Sequence, residues 1–302
     1  MTKFARSVQQ WYLVHEETVI GYLFLLPVAT ILLVLVGYPG IVGIWYSLTN
    51  KMIGYTNPSF IGLRNYIELI SDPRLIEAII RSLWFSFAAM VLKLVFGLLV
   101  ALLINQRFLG RGFVRGAVLL PWAMPSIAAI LIWAWMYNDL FGVFNFLLME
   151  TGIVNVPINF LGDRRWVMPS IILLNLWRGF PFFTINLLAG LQAIPEELYE
   201  VARIDGASAF QSFLHITLPS LRTVILIVCL LSFIWNANIF TDVWVLTRGG
   251  PGKASEVFSI LTFKLAFQGL ELGKAAAVPV LLIPFFSILI VFLNKAVSGE
   301  EV

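Results

Sequence analysis

Six stretches of 20 or more largely apolar residues, at about 20–47, 81–104, 113–137, 167–191, 223–246 and 272–294, constrain this chain more than any other feature. A helix needs about 20 such residues to cross the hydrocarbon core of a bilayer. In that core every backbone N–H and C=O must be paired within the protein, so spanning elements are helices or closed barrels. The alternating pattern of barrel strands is absent. The expected fold class is therefore an all-α polytopic membrane protein with six transmembrane helices. Composition agrees: 60% of the 302 residues are hydrophobic and 12% charged, against about 25% charged in a soluble domain.

The domain organisation follows from the spans. Residues 1–19 read as an interfacial N-terminal segment; the first apolar run is too long for a signal-peptide core and lacks a small-residue cleavage site, so it is expected to be retained. Residues 20–294 form the six-span domain with a polar loop at 193–222, and 295–302 a short tail. The net charge of +3 and pI near 9.0 point to lipid headgroups of the bilayer rather than to nucleic acid.

Orientation is not settled by a simple count. With the N-terminus inside, eight Lys/Arg would be cytoplasmic and ten outside, against the positive-inside rule. The loop after the second span is the one clean signal, carrying Arg107, Arg111 and Arg115 without an acid. Placing it in the cytoplasm makes both termini and the 193–222 loop cytoplasmic as well.

Polar residues inside the spans are the candidates for function. Lys93 in the second span either faces other helices, snorkels, or marks a functional site. Pro121 and Pro125 at the start of the third span free backbone carbonyls, so that segment is expected to be broken and to face protein or water. The fourth span carries Asn175 and Arg178-Gly179; a buried arginine needs an aqueous cavity or an ion pair. The fifth holds Ser232, Trp235, Asn236 and Asn238, then Asp242. Each could merely bond helices together, but Asn175, Arg178, Ser232 and Asn236 could also share one interior. Polar groups beside tryptophan faces suit a sugar, with its rim of hydroxyls and its apolar C–H faces.

No catalytic constellation is visible. His15 and His215 stand far apart, and HExxH, nucleophile-elbow and phosphate-loop motifs are missing. Cys229 is the single cysteine, which excludes a disulfide framework and a cysteine metal cluster. The chain is thus expected to be no enzyme, to hold no metal or cofactor, and to take any energy from a partner.

The longest polar interruption of the second half, Glu196 to Pro219, reads as a helix-turn-helix elbow. Pro195 is expected at the first helical position, with Glu196 and Glu197 at the positive end of the helix dipole. Leu198, Val201 and Ala202 make one apolar stripe, and Asp205-Gly206 is a stop. Ser208 and Gln211 form a capping box opening a second helix, on which Phe210, Phe213 and Leu214 share a face. Pro219 is expected to end it.

This elbow resembles the EAA loop of permease subunits from binding-protein-dependent ABC importers. Glu200-Val201-Ala202, Gly206 at the family spacing and Ile216-Thr217-Leu218-Pro219 carry the resemblance, and Asp205-Gly206-Ala207 has the form found in carbohydrate importers. Val201 stands where the family often has alanine. Phe60 to Tyr66 is similar to the GLxNY signature of sugar permeases and Leu246 to Pro251 to their LTxGGP. The likeness covers nearly the whole chain and is to the MalF-like carbohydrate-uptake family.

The resemblance implies a type I ABC importer permease fold in the plasma membrane of a bacterium or archaeon. It implies a second permease subunit as heterodimer, two ATPase subunits that hold the ATP and Mg, and an extracytoplasmic sugar-binding protein. Transport would be by alternating access. The elbow would insert into a cleft on an ATPase, Glu200 pairing with a basic residue there and Leu198, Val201, Phe210 and Phe213 supplying a helix-in-groove contact, with Glu197, Ala202, Asp205, Gly206 and Pro219 in the same coupling set. Trp122 and Ser126, Asn175 and Gly179, and Ser232 and Asn236 match sugar-site positions of the family; Arg178 and Trp235 join them by proximity in the sequence. Two departures are Arg178, in place of an apolar residue, and Ile239, in place of an asparagine. The expected substrate is a neutral di- or oligosaccharide, with a uronate-containing one as the alternative raised by Arg178. A secondary transporter would leave the elbow unexplained and normally show inverted repeats; a membrane enzyme would need clustered acids or histidines.

Overall fold

The computed structural model describes residues 16–55 and 57–298. Most of the expected N-terminal segment and the last four residues of the tail lie outside that range.

One compact unit comprises residues up to Glu68 together with Leu265–Leu281. Helix α1 (Glu16–Leu32) runs through a π-helical turn at Leu33–Gly37 into α2 (Tyr38–Ser47). From Ile20 to Ser47 this helix has a mean hydropathy of 2.5 over its most apolar window, none of which is buried within the chain. It is apolar all round, as suits a helix covered by lipid or by other chains. The loop that follows is tied down by one side chain, Asn65 on α3 (Arg64–Ile70), whose Nδ2 donates to the carbonyls of Ser47 and Thr49 at 2.8 Å each. Gly62 supplies the left-handed turn before it, at φ 61°. Thr49 pairs with Phe60 across an antiparallel bridge, and Gly273 lies so close to Thr49 that a Cβ there would meet its carbonyl oxygen at 2.2 Å. The Gly-Leu-Arg-Asn-Tyr signature is therefore a loop lock.

The second unit comprises Leu69–Lys264 and Leu282 onward. Its frame is three packed helices: α4 (Pro73–Asn105), α8 (Val167–Gln192) and α12 (Arg222–Ala237). Asp72 caps α4 by accepting from the Arg74 N–H, and Pro73 fills the first position. The helix thus starts eight residues before the apolar run that marks the second span. Close approach of α4 and α8 depends on Gly97, where a Cβ would sit 2.5 Å from the Phe183 Cβ. Ala101, Phe183, Leu187, Leu191 and Leu221 fill the contact below it.

Two spans are not single helices. The third is α5 (Arg111–Ala123) followed by α6 (Ser126–Met136), bent by 89°. Pro125 forces Met124 into extended backbone at ψ 138°, which breaks the helix there as the two prolines foretold. The fifth, expected at 223–246, stops at Ala237. Asn238 turns its side chain back onto the Ile234 carbonyl, and a short helix α13 (Thr241–Thr247) follows. That correction matters, because the break faces the cavity described below. Among the described residues four helices are long and apolar enough to cross a membrane, and six spans result when each bent pair counts as one.

Connections carry structure too. The 138–165 segment between the third and fourth spans contains α7 (Val143–Glu150), anchored by Asn145, which exchanges hydrogen bonds with the Ile158 backbone at 2.9 Å each. Beyond α13, Glu256 is fully buried and accepts from Arg74 at 2.7 and 3.1 Å and from Lys264 at 2.7 Å. Gly249, at φ 88°, lets the Leu-Thr-Arg-Gly-Gly-Pro turn press against Ile260 and Lys264, where a Cβ would sit 3.0 and 3.1 Å from them. Short helices α9 (Glu196–Ile204), α10 (Ala209–Ser212), α11 (Leu218–Ser220) and α14 (Phe258–Phe263) and the long α15 (Leu272–Ser298) complete the described residues.

Candidate functional site

A cavity of about 300 Å³ opens between α4, α8, α12 and the α5–α6 break, and the residues expected on the substrate path all line it: Trp122, Ser126, Asn175, Arg178, Gly179, Ser232, Trp235 and Asn236. Helical spacing explains the convergence. Asn175, Arg178 and Gly179 lie at i, i+3 and i+4 on one face of α8, and Ser232 and Asn236 at i and i+4 on α12. Trp122 and Ser126 come from either side of the proline break.

Each charged group of the cavity has a polar partner. Arg178 Nη1 donates to Asp242 Oδ1 at 2.8 Å, and Asp242 is almost wholly buried. Asn175 Nδ2 reaches the other carboxylate oxygen at 3.3 Å. From α4, Lys93 Nζ donates to Asn236 Oδ1 at 2.9 Å, and Asn236 Nδ2 donates to Ser232 Oγ at 3.3 Å. Gly179 makes room for that lysine: a Cβ there would lie 2.6 Å from Lys93 Cε. Arg178 is thus both cavity wall and ion pair, the two alternatives its position had left open.

Lys93, Phe182, Asn238, Phe240, Thr241 and Asp242 also line the cavity. None was placed there from the sequence as a site residue. A signal existed for Lys93 and Asp242, since charges in or beside apolar spans are functional candidates by default; which helices they meet was not legible. Ile239 lines the cavity as well, at the position where the resemblance led one to expect asparagine.

The polar elbow forms as two short helices. Pro195 is the residue preceding the first helix rather than its first member, and Glu196–Ile204 follows it. The stop is a Schellman motif: Ala207 N–H donates to the Ala202 carbonyl at 2.9 Å and Gly206 N–H to Arg203 at 3.2 Å, with Gly206 at φ 82°. Ser208 and Gln211 make the reciprocal capping box. Pro219 does not end the second helix; the chain stays helical through a π turn at Phe213–Thr217 to Ser220, then bends by 64° into α12. Tyr199 Oη and Thr217 Oγ1, 2.8 Å apart, clasp the two arms.

The elbow's surface is unsatisfied. Glu197, Leu198, Glu200, Val201, Asp205 and Phe210 are exposed, Phe210 to 68%, while Ala202 and Phe213 are half-buried. Ile204, exposed to 85%, extends the apolar stripe and had not been singled out. It lies three residues after Val201, so the spacing alone could have found it.

Residues 93–298 match the family described as the binding-protein-dependent transport system inner membrane component. The chain belongs to that family. It is a multi-pass inner-membrane component of a transport system. Among relatives of this transport component, the trehalose/maltose transport system permease protein MalF of Thermococcus litoralis is 39% identical over 267 residues, covering 88% of this chain and 90% of that one. In fold, the permease is similar to a subunit in the crystal structure of a bacterial ABC transporter involved in import of the acidic polysaccharide alginate. The TM-score is 0.81 at 22% identity, over 97% of this chain and 100% of that one. The alginate transporter in complex with alginate pentasaccharide-bound periplasmic protein gives 0.79 at 23%, over 94% and 96%. The architecture is that of ABC importer permeases, and the cavity and the elbow are features of one such transport component.

Proposed function

We propose that this permease translocates a neutral di- or oligosaccharide, handed over by an extracytoplasmic binding protein, by alternating access. The observation that carries the reading is the single cavity in which amide and hydroxyl groups of Asn175, Ser232 and Asn236 stand beside the rings of Trp122, Trp235 and Phe182. Its volume of about 300 Å³ lies at the low end for small-molecule sites, consistent with a facing wall supplied by a second permease subunit. The name of the Thermococcus litoralis relative, which specifies trehalose and maltose, supports a neutral disaccharide.

An acidic, uronate-containing substrate has one specific point in its favour, the two cations of the cavity. Arg178, however, is engaged by Asp242 at 2.8 Å, and a paired guanidinium offers less to a sugar carboxylate. The neutral sugar is therefore the better reading.

Energy enters at the elbow. The exposed stripe of Leu198, Val201, Ile204 and Phe210, flanked by Glu197 and Glu200, suits a groove on an ATPase subunit as a helix-in-groove contact. On this reading the elbow and both termini are cytoplasmic. ATP and Mg are held by two partner ATPases, and this chain does no chemistry of its own.

Proteoliposomes containing this chain, its partner permease and the ATPases test the proposal, with binding protein supplied on the outer side. ATP-dependent uptake of labelled maltose or trehalose, not displaced by a uronate oligosaccharide, is the expected result. Uptake of the uronate alone would transfer the assignment to acidic sugars; uptake driven by an ion gradient without ATP would overturn the ABC mechanism.

A further inference from the structure

An amide side chain is ambiguous as a recognition group, because either end can face a ligand. In this cavity Asn175 is not ambiguous. Its Nδ2 donates to Asp242 Oδ2 at 3.3 Å, while its Oδ1 is buried and has no hydrogen-bond partner among the described residues. Turning the amide over would set that oxygen against a carboxylate, two acceptors with no proton between them. A buried acceptor without a donor is costly, so the end of this amide turned away from Asp242 is an acceptor for which the described residues supply no partner. Asp242, 1% exposed, is itself held by Arg178 at 2.8 Å through its other carboxylate oxygen, so its orientation is fixed at both oxygens.

We propose that Asp242 is a positioning residue that fixes Asn175 as a hydrogen-bond acceptor toward the substrate, so that the cavity selects a sugar hydroxyl at this point and rejects a carboxylate. The inference rests on the sugar-permease reading above and deepens it: the polarity of one subsite is set by a residue that need not touch the sugar. Arg178 holds Asp242 in place. A substrate hydroxyl that donates to Asn175 Oδ1 completes the chain Arg178–Asp242–Asn175–sugar with every donor facing an acceptor. A uronate carboxylate at the same place would face an acceptor oxygen.

Two double variants separate this role from a merely structural ion pair. In Asn175→Asp/Asp242→Asn the carboxylate and the amide change places. The net charge is kept, Arg178 keeps a carboxylate one helical turn away, and position 175 presents acceptor oxygens whichever way it turns. In Arg178→Gln/Asp242→Asn the pair is removed without change of net charge, but the Asn175 amide is freed. The readout is ATP hydrolysis by the reconstituted complex, stimulated by binding protein saturated with maltose and, separately, with trehalose; assembly of each complex is checked by gel filtration. Asp242→Asn is expected to lower stimulation on the order of tenfold, the swap to restore most of it, and the pair removal to leave it low. Should Asp242→Asn fail to assemble, the two double variants are compared directly with wild type under the same expectation. Recovery by pair removal, or a swap variant no better than Asp242→Asn, would overturn the positioning role. A wild-type complex that responds to neither sugar would instead overturn the functional reading itself.

Discussion

Glu256 shows at the level of one residue how the chain uses charge outside its spans. Burial alone pushes its carboxyl up, but hydrogen bonds and charge from Arg74 and Lys264 outweigh that and hold it below the ordinary value of 4.5. Because the folded-state pKa is depressed, the stability it contributes is present in full above the unfolded value and is lost as pH falls through the folded one. Glu256→Gln leaves two cations without their counter-charge and is expected to cost roughly 3 kcal/mol at neutral pH, the lower end for a broken buried pair. Thermal midpoints in detergent should show wild type losing its advantage over the variant on acidification below about pH 4.5. Lys93 should behave oppositely. Lys93→Met removes a buried charge whose hydrogen-bond partner is the uncharged Asn236, so the thermal midpoint is expected to hold or rise, while maltose uptake falls on the order of tenfold as Asn236 loses the contact that orients it. Asn175, Arg178, Ser232 and Asn236 were legible in the sequence, since polar groups in apolar runs stand out. That Lys93 and Asp242 meet them was not, because a residue's face on its own helix says nothing of which helices lie opposite.

Among the elements, the apolar runs located the long helices, whereas the breaks needed local chemistry. Pro121 and Pro125 announced the interruption of the third span. Nothing so plain marked the end of α12 at Ala237, where Asn238 folds back on the Ile234 carbonyl. Charged and capping residues extended α4 beyond its apolar run at the Asp72-Pro73 start, which hydropathy cannot see. The packing of α4 on α8 depends on the absence of a side chain at Gly97. Gly97→Leu is therefore expected to destabilise the fold by about 1–3 kcal/mol through overpacking, read as a lower thermal midpoint and a reduced yield of folded protein. Gly97→Ala should show the same effect in smaller degree. The elbow was legible almost to the residue, because capping boxes and glycine stops are local signals; its two proline positions were each displaced by about one residue.

Across the whole molecule, the proposed function makes the cavity and the elbow parts of one device, in which nucleotide chemistry on other subunits would move the walls of a binding site here. Gly206, at φ 82° with open space around it, is the position where a side chain strains the elbow without disturbing the spans. The most direct test is ATP hydrolysis by the assembled complex when binding protein loaded with maltose is added, comparing wild type with Glu200→Ala and Gly206→Glu. The expected result is clear stimulation in wild type and none in Gly206→Glu, with Glu200→Ala strongly reduced and all three complexes still binding the loaded protein. Stimulation of the same size in all three would contradict the account.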